Sequence, residues 1–211
     1  MQQKEGMQNR KRVQKGRFGY LKAQRKRQIL LTAILYAAPL LLFFTGLWQT
    51  GTRKNLFTLI AVVGCLPACK WTVNLVMLFL QKPISRELYE KIAAHEGSLV
   101  SAYELTITAY EKNTPVAAIA ICGNEIIGYT QDEKADTAFV EKHITNILQQ
   151  NHFYGVHVKI IKDLKKYLER MDNLDRRSEE LRKGIKFVPD ERYPDLSREE
   201  LMCHTILAIS L

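Results

Sequence analysis

At 211 residues the chain has room for one soluble domain and a small additional part. Its net charge of +9 is local: residues 1–28 hold ten Lys/Arg and a single acid, Glu5, while the remaining 21 basic and 21 acidic groups cancel. A uniformly basic surface is thereby excluded, and four cysteines at spacings that match neither a paired CxxC site nor a zinc ribbon exclude a disulfide framework.

The basic tail, residues 1–28, interleaves its cations with Val13, Phe18, Tyr20 and Leu21. Each basic residue near an anionic bilayer surface contributes about 1 kcal/mol of attraction. Arg10, Lys11, Arg12, Arg25, Lys26 and Arg27 are the candidate lipid-facing set. Phe18, Tyr20 and Leu21 are expected to dip into the interface. A nucleic-acid or ribosome contact is the rival reading. The tail runs straight into an apolar stretch, so anionic lipid is the expected partner and nucleic acid is not.

Residues 29–48, ILLTAILYAAPLLLFFTGLW, carry no charge. As a helix they cover about 30 Å, the hydrocarbon thickness of a bilayer. Pro39 sits mid-span, and Trp48 falls where an interfacial aromatic belongs. A signal peptide would have a shorter apolar core and a small-residue cleavage site. Here a short connection, 49–55, follows instead, with Gly51, Arg53 and Lys54, and then a second apolar run, 56–80. The two runs read as a helical hairpin. The basic excess lies in the tail and in Lys82, Arg86 and Lys91, which places both termini on the cytoplasmic side and the 49–55 loop outside.

Lys70 is the lone charge in the second run. It lies about 9 Å from the expected exit, within reach of the headgroups along its own stem. Asn74 continues a polar stripe one turn on, and Trp71 suits interfacial depth. The sharper alternative pairs Lys70 with an acid on another chain, because neither run contains Asp or Glu. Gly64, Cys65, Ala68 and Cys69 give the second span a small-residue face suited to close helix packing. Cys65 and Cys69 lack further ligands for a metal.

The domain from 85 to 211 reads as α/β. Ser85 caps a helix over 86–96 that Gly97 ends. LVSAYELTITAY, 99–110, alternates, with Leu99, Ser101, Tyr103, Leu105, Ile107 and Ala109 on one face. KNTP, 112–115, is expected to turn the chain. VAAIAIC, 116–122, is apolar on both faces and reads as a central strand. Gly123 and Asn124 join it as a hairpin to EIIGYT, 125–130. A helix over 135–151 buries Phe139, Val140, Ile144, Ile147 and Leu148. VHVKII, 156–161, is the fourth strand. A long helix is expected over 163–183, with an apolar seam at Tyr167, Met171, Leu174, Ser178 and Leu181 that is too short for a coiled coil and is expected to pack on its own domain. SREE, 197–200, is a capping box before the last helix. The order is α-β-β-β-α-β-α-α.

That order, over about residues 86–161, resembles the core of the restriction-endonuclease-like fold. Active members of that superfamily place an Asp in the second core strand and an acidic-x-Lys triplet in the third. Neither VAAIAIC nor EIIGYT supplies them, so the resemblance implies a relative without that chemistry. The strand acids Glu104 and Glu125 read as solvent-facing. The basic tail with GYL, the two spans, TGTRKN and CLPACK are similar to small two-span bacterial membrane proteins sometimes labelled O-linked GlcNAc transferase-like. No D-x-D triplet or helical repeat accompanies that label here.

No P-loop, G-x-G-x-x-G or G-x-S-x-G occurs, so no cofactor, metal or catalytic residue is assigned. Ser98 and Ser101 near His95, and the pair His152 and His157, are the weaker constellations. The expectation is a two-span plasma-membrane protein that displays a cytoplasmic interaction or regulatory module. Partner surfaces would be the 163–183 helix or the small-residue face of the second span. The alternatives are a tethered nuclease-like or other enzyme domain, and an accessory subunit of a membrane complex.

Overall fold

The computed structural model describes residues 14–52, 56–109, 112–185, 187 and 193–210. They form seven helices and a four-stranded mixed sheet among the described residues, and the chain divides into two compact units.

One unit, Leu21–Pro83, consists of α1 (Tyr20–Thr50) and α2 (Leu56–Leu80). Both helices are long and apolar enough to cross a membrane. They lie antiparallel, and small residues set their approach. A Cβ placed on Gly64 would meet Pro39 Cβ at 3.5 Å, and Ala61 and Ala68 are buried. Part of the small-residue face therefore serves the chain's own hairpin. Tyr36 Oη lies 3.1 Å from Thr72 Oγ1, and that hydroxyl donates back to the Ala68 carbonyl at 2.9 Å. At the open end, Arg25 Nε donates to the Leu78 carbonyl at 3.3 Å, and Arg25 Nη2 donates to the carbonyls of Phe79 and Gln81. The last carbonyls of a helix have no partners within it and carry partial negative charge, which a guanidinium neutralises.

The other unit comprises residues 1–20 and 84–211. Its elements are α3 (Arg86–Ala93), β1 (Val100–Ala109), β2 (Lys112–Cys122), β3 (Glu125–Tyr129), α4 (Thr137–Gln150), β4 (His157–Ile161), α5 (Leu164–Arg176), α6 (Ser178–Arg182) and α7 (Arg198–Ala208). The sheet runs β1-β2-β3-β4; the first three strands are antiparallel, and β4 returns through α4 to lie parallel to β3. Val140, Ile144 and Leu148 of α4 and Met202, Cys203 and Ile206 of α7 cover one face. Leu88 and Ile92 of α3 and Tyr167, Met171 and Leu174 of α5 cover the other. Fully burying an aliphatic side chain of this size contributes about 1.5–3 kcal/mol, which is why β2, apolar on both sides, lies inside the sheet.

Four expectations need correction. KNTP does not turn the chain; it opens β2, with Pro115 opposite Thr106 and Asn113 opposite Thr108. The 163–183 helix breaks at Arg177 into α5 and α6, which adds one helix to the expected order. Its apolar seam faces its own sheet, where Tyr167, Met171 and Leu174 are buried. The single apolar face read in β1 is divided. Leu99 and Tyr103 pack with α3 and α5, whereas Leu105 and Ile107 pack with α4 and α7. Between them Glu104 takes φ 57, and a left-handed residue inverts the alternation of a strand. The partner strand makes the matching change between Val116 and Ala118, so the pairing stays in step. Glu104 itself is buried, not solvent-facing.

Both sheet edges are managed. Along β1, the Gly16 carbonyl accepts from Tyr103 N at 2.7 Å and the Ile209 carbonyl from Thr108 N at 3.3 Å. Along β4, Glu141 Oε1 accepts from Ile160 N at 2.9 Å, with Lys159 beside it at 3.3 Å. A carboxylate on the outward N–H blunts an edge that another strand would otherwise extend. Glu141→Ala is expected to cost about 1–3 kcal/mol by leaving that amide without its acceptor. Chemical denaturation measures the loss, and hydrogen exchange should quicken at Ile160.

Candidate functional site

The most elaborate polar arrangement gathers around the β2–β3 turn. Gly123 takes φ 58 there, and a Cβ on it would lie 2.5 Å from the Leu181 carbonyl oxygen, so the turn accepts only glycine. Its N–H donates to Glu199 Oε1 at 2.6 Å, and its carbonyl accepts from Arg198 Nη1 at 2.9 Å. Both partners stand in the first turn of α7, which Ser197 and Glu200 start with a reciprocal capping box. The capping box thus fixes the direction in which Arg198 and Glu199 project.

Glu199 is held from a second side. Arg182 Nε reaches its Oε1 at 2.9 Å and Nη2 its Oε2 at 2.8 Å, a bidentate fork on a carboxylate only 11% exposed. Arg182 Nη2 also donates to the Ser98 carbonyl at 2.7 Å. The hydrogen bonds it donates to Glu199 hold the Arg182 pKa above its ordinary value. Asp175 in turn accepts from Ser98 N at 2.7 Å and Ser98 Oγ at 2.8 Å, which holds its pKa below the ordinary carboxylate value. Three helices, a loop and a strand turn are so tied by one connected set of bonds.

A cleft of about 460 Å³ opens against this set. Val100, Ile185 and Phe187 supply its apolar wall; Arg182, Ser197, Arg198, Glu199 and Glu200 supply its polar side. Arg198 lies over the Phe153 ring at 5.7 Å, and its burial lowers its pKa. The geometry suits recognition. Both oxygens of Glu199 are engaged by N–H donors, two on Oε1 and one on Oε2, which fixes the carboxylate in place.

The remaining candidate residues are dispersed. Lys70 and Asn74 are exposed on α2, Trp71 is half-buried there, and Trp48 is 91% exposed near the end of α1. Lys26 and Arg27 are exposed on α1, while Arg25 is engaged with the carbonyls of α2 rather than free to face lipid. Phe18 does not dip outward: it stacks on Tyr89 at 4.2 Å, and Leu21 is buried. Arg10, Lys11, Arg12, Arg53 and Lys54 lie outside the described residues. His95 pairs with Asp172 at 2.6 Å and not with a serine. His152 bonds Tyr154 at 3.2 Å, and no group of three or more metal-ligating side chains occurs among the described residues. Glu125 lies 3.8 Å from Arg170. Sequence reasoning found the turn and the capping box but missed Arg182, Arg198 and Glu199. The only signal was an arginine and a glutamate inside a motif already accounted for.

Neither family models, curated proteins nor solved structures match this chain.

Glu199→Gln is expected to cost about 2 kcal/mol, since it leaves the Arg182 fork without its charge and weakens the acceptor for Gly123. Thermal unfolding and exchange at the Gly123 amide measure it. Asp175 offers a pH test. A carboxylate whose folded pKa is depressed contributes stability above its unfolded pKa, about 3.9, and loses it as pH falls through the lower folded value. In Ser98→Ala the Asp175 pKa should rise toward the ordinary value, as read by carboxyl NMR, and the corresponding loss of stability in acid should shrink.

Proposed function

We propose that the chain is a membrane-tethered binding module: α1 and α2 form a two-span hairpin in the plasma membrane, both termini are cytoplasmic, and the α/β domain presents its cleft on the cytoplasmic side. The observation that carries the tether is the exposure of large apolar side chains along both helices. Leu41 is 65%, Leu66 68% and Leu80 72% exposed, and Leu30, Leu59, Val62 and Val73 are also exposed. A helix from the core of a soluble protein hides such residues, and a soluble monomer rarely displays an apolar surface of this extent. In a bilayer the same residues meet lipid tails and cost nothing.

Orientation rests on charge. The basic excess of the tail and the residues after α2 favour the cytoplasmic face, and the 49–55 loop carries only Arg53 and Lys54. Lys26 and Arg27 then lie at the anionic inner leaflet, and Lys70 extends its ammonium toward the same headgroups. The assignment of a binding role rests on the cleft and its fixed Arg182–Glu199 pair.

Two measurements test this reading. The protein should stay in the membrane pellet after alkaline carbonate washing and require detergent for release. A reporter fused after residue 211 should be active only when cytoplasmic, and one inserted at Gly51 only when external. Release into the supernatant, or the reverse reporter pattern, refutes the tether or its orientation respectively.

A further inference from the structure

We infer that the cleft beside the β2–β3 turn takes a small carboxylate with an apolar body, a ligand class that rests on the binding role proposed above. Among the described residues, the charged groups lining the cleft are Arg182, Arg198, Glu199 and Glu200. Three are committed. Arg182 and Glu199 neutralise one another through the bidentate fork, and Glu199 also holds Gly123 N. Glu200 Oε2 accepts from Ser197 N at 2.8 Å, and that bond keeps its carboxyl pKa below the ordinary value.

Arg198 differs. Its guanidinium gives one bond, to the Gly123 carbonyl, and rests on the Phe153 ring; the rest of its donor fork meets no acceptor among the described residues. It is half-buried, so water solvates it incompletely. A partly desolvated guanidinium with unused donors favours an anionic acceptor, and a carboxylate matches the fork geometry. Val100, Ile185 and Phe187 also line the cleft and offer apolar contact, which favours a ligand with an aliphatic or aromatic body over a bare inorganic anion. The volume of about 460 Å³ admits a group the size of an amino-acid derivative with room for solvent.

The full chain in lipid nanodiscs, labelled with ¹⁵N-glycine, provides the test. The Gly123 amide reports on the site, and Gly51 in the hairpin serves as internal control. Three water-soluble probes share one body and differ in charge: N-acetyl-leucine (anion), N-acetyl-leucinamide (neutral) and leucinamide (cation). N-acetyl-leucine is expected to shift the Gly123 amide saturably, at about tenfold lower concentration than the neutral amide, the ratio a single charge-assisted contact supports. Arg198→Gln should abolish that ratio, and Phe187→Ala should weaken anion and neutral probe alike while preserving it. Equal binding of anion and neutral probe, stronger binding of the cation, or no saturable shift at Gly123 overturns the inference. The ratio in the unsubstituted protein decides even where Arg198→Gln does not fold. A negative result leaves the carbonate-wash and reporter measurements untouched, so failure of the ligand class is separable from failure of the tether.

Discussion

From Val116 to Cys122 strand β2 has no polar face, and the architecture of the α/β unit follows from that constraint. Val116, Ile119 and Ile121 on one side and Ala118, Ala120 and Cys122 on the other are all fully buried. Water must be excluded from both surfaces, which needs two helical layers and a strand on either flank. The small alanines face the layer that holds Tyr103, Tyr129 and Tyr167, so large rings fill the space above small residues. The isoleucines face the aliphatic layer of α4 and α7. Tyr129 and Tyr167 approach to 5.6 Å, and Tyr103 donates to Glu96 at 2.6 Å, which gives this layer a polar rim. Burial and the neighbouring Glu96 carboxylate raise the Tyr103 pKa.

The same strand sets where the cleft lies. Its last residue delivers the chain to Gly123, whose left-handed backbone turns it back toward β3. A buried turn exposes a polar N–H and carbonyl that need partners, and α7 arrives with a carboxylate and a guanidinium for each. Glu199 then requires a counter-charge, which Arg182 supplies from α6. The break at Arg177 serves this placement. It divides α5, whose seam stays on the sheet, from α6, whose Arg182 reaches Ser98 and Glu199. What remains facing solvent beside an apolar wall is the unused part of Arg198.

Periodicity made much of the architecture legible. Both long apolar helices, all four strands, the hairpin at Gly123 and Asn124 and the Ser197 capping box follow from local pattern, because each depends on residues within a few positions of one another. Errors arose where local pattern was ambiguous. KNTP has the composition of a turn, yet the ladder to β1 extends through it, because Pro115 stands opposite Thr106 in a pairing that the strand tolerates. The charged stretch 163–183 is helical throughout in propensity, and no residue pattern within it marks the break at Arg177. Phe18 in a basic tail reads as interfacial, but a stacking partner, Tyr89, stands 71 residues away.

By itself the sequence determined the order of the strands, the two membrane-length apolar runs, the concentration of positive charge at one end and the two-sided burial of the central strand. These are properties of composition and short-range spacing. Only the tertiary structure decided the division of the β1 face at Glu104, the capping of the β4 edge by Glu141, the use of Arg25 on the carbonyls of α2, and the meeting of Gly123, Arg182, Arg198 and Glu199. Each of these joins groups distant along the chain or depends on a backbone angle that no side-chain pattern encodes. A charged residue read alone is indistinguishable from a solvated one until the fold supplies, or withholds, its partner.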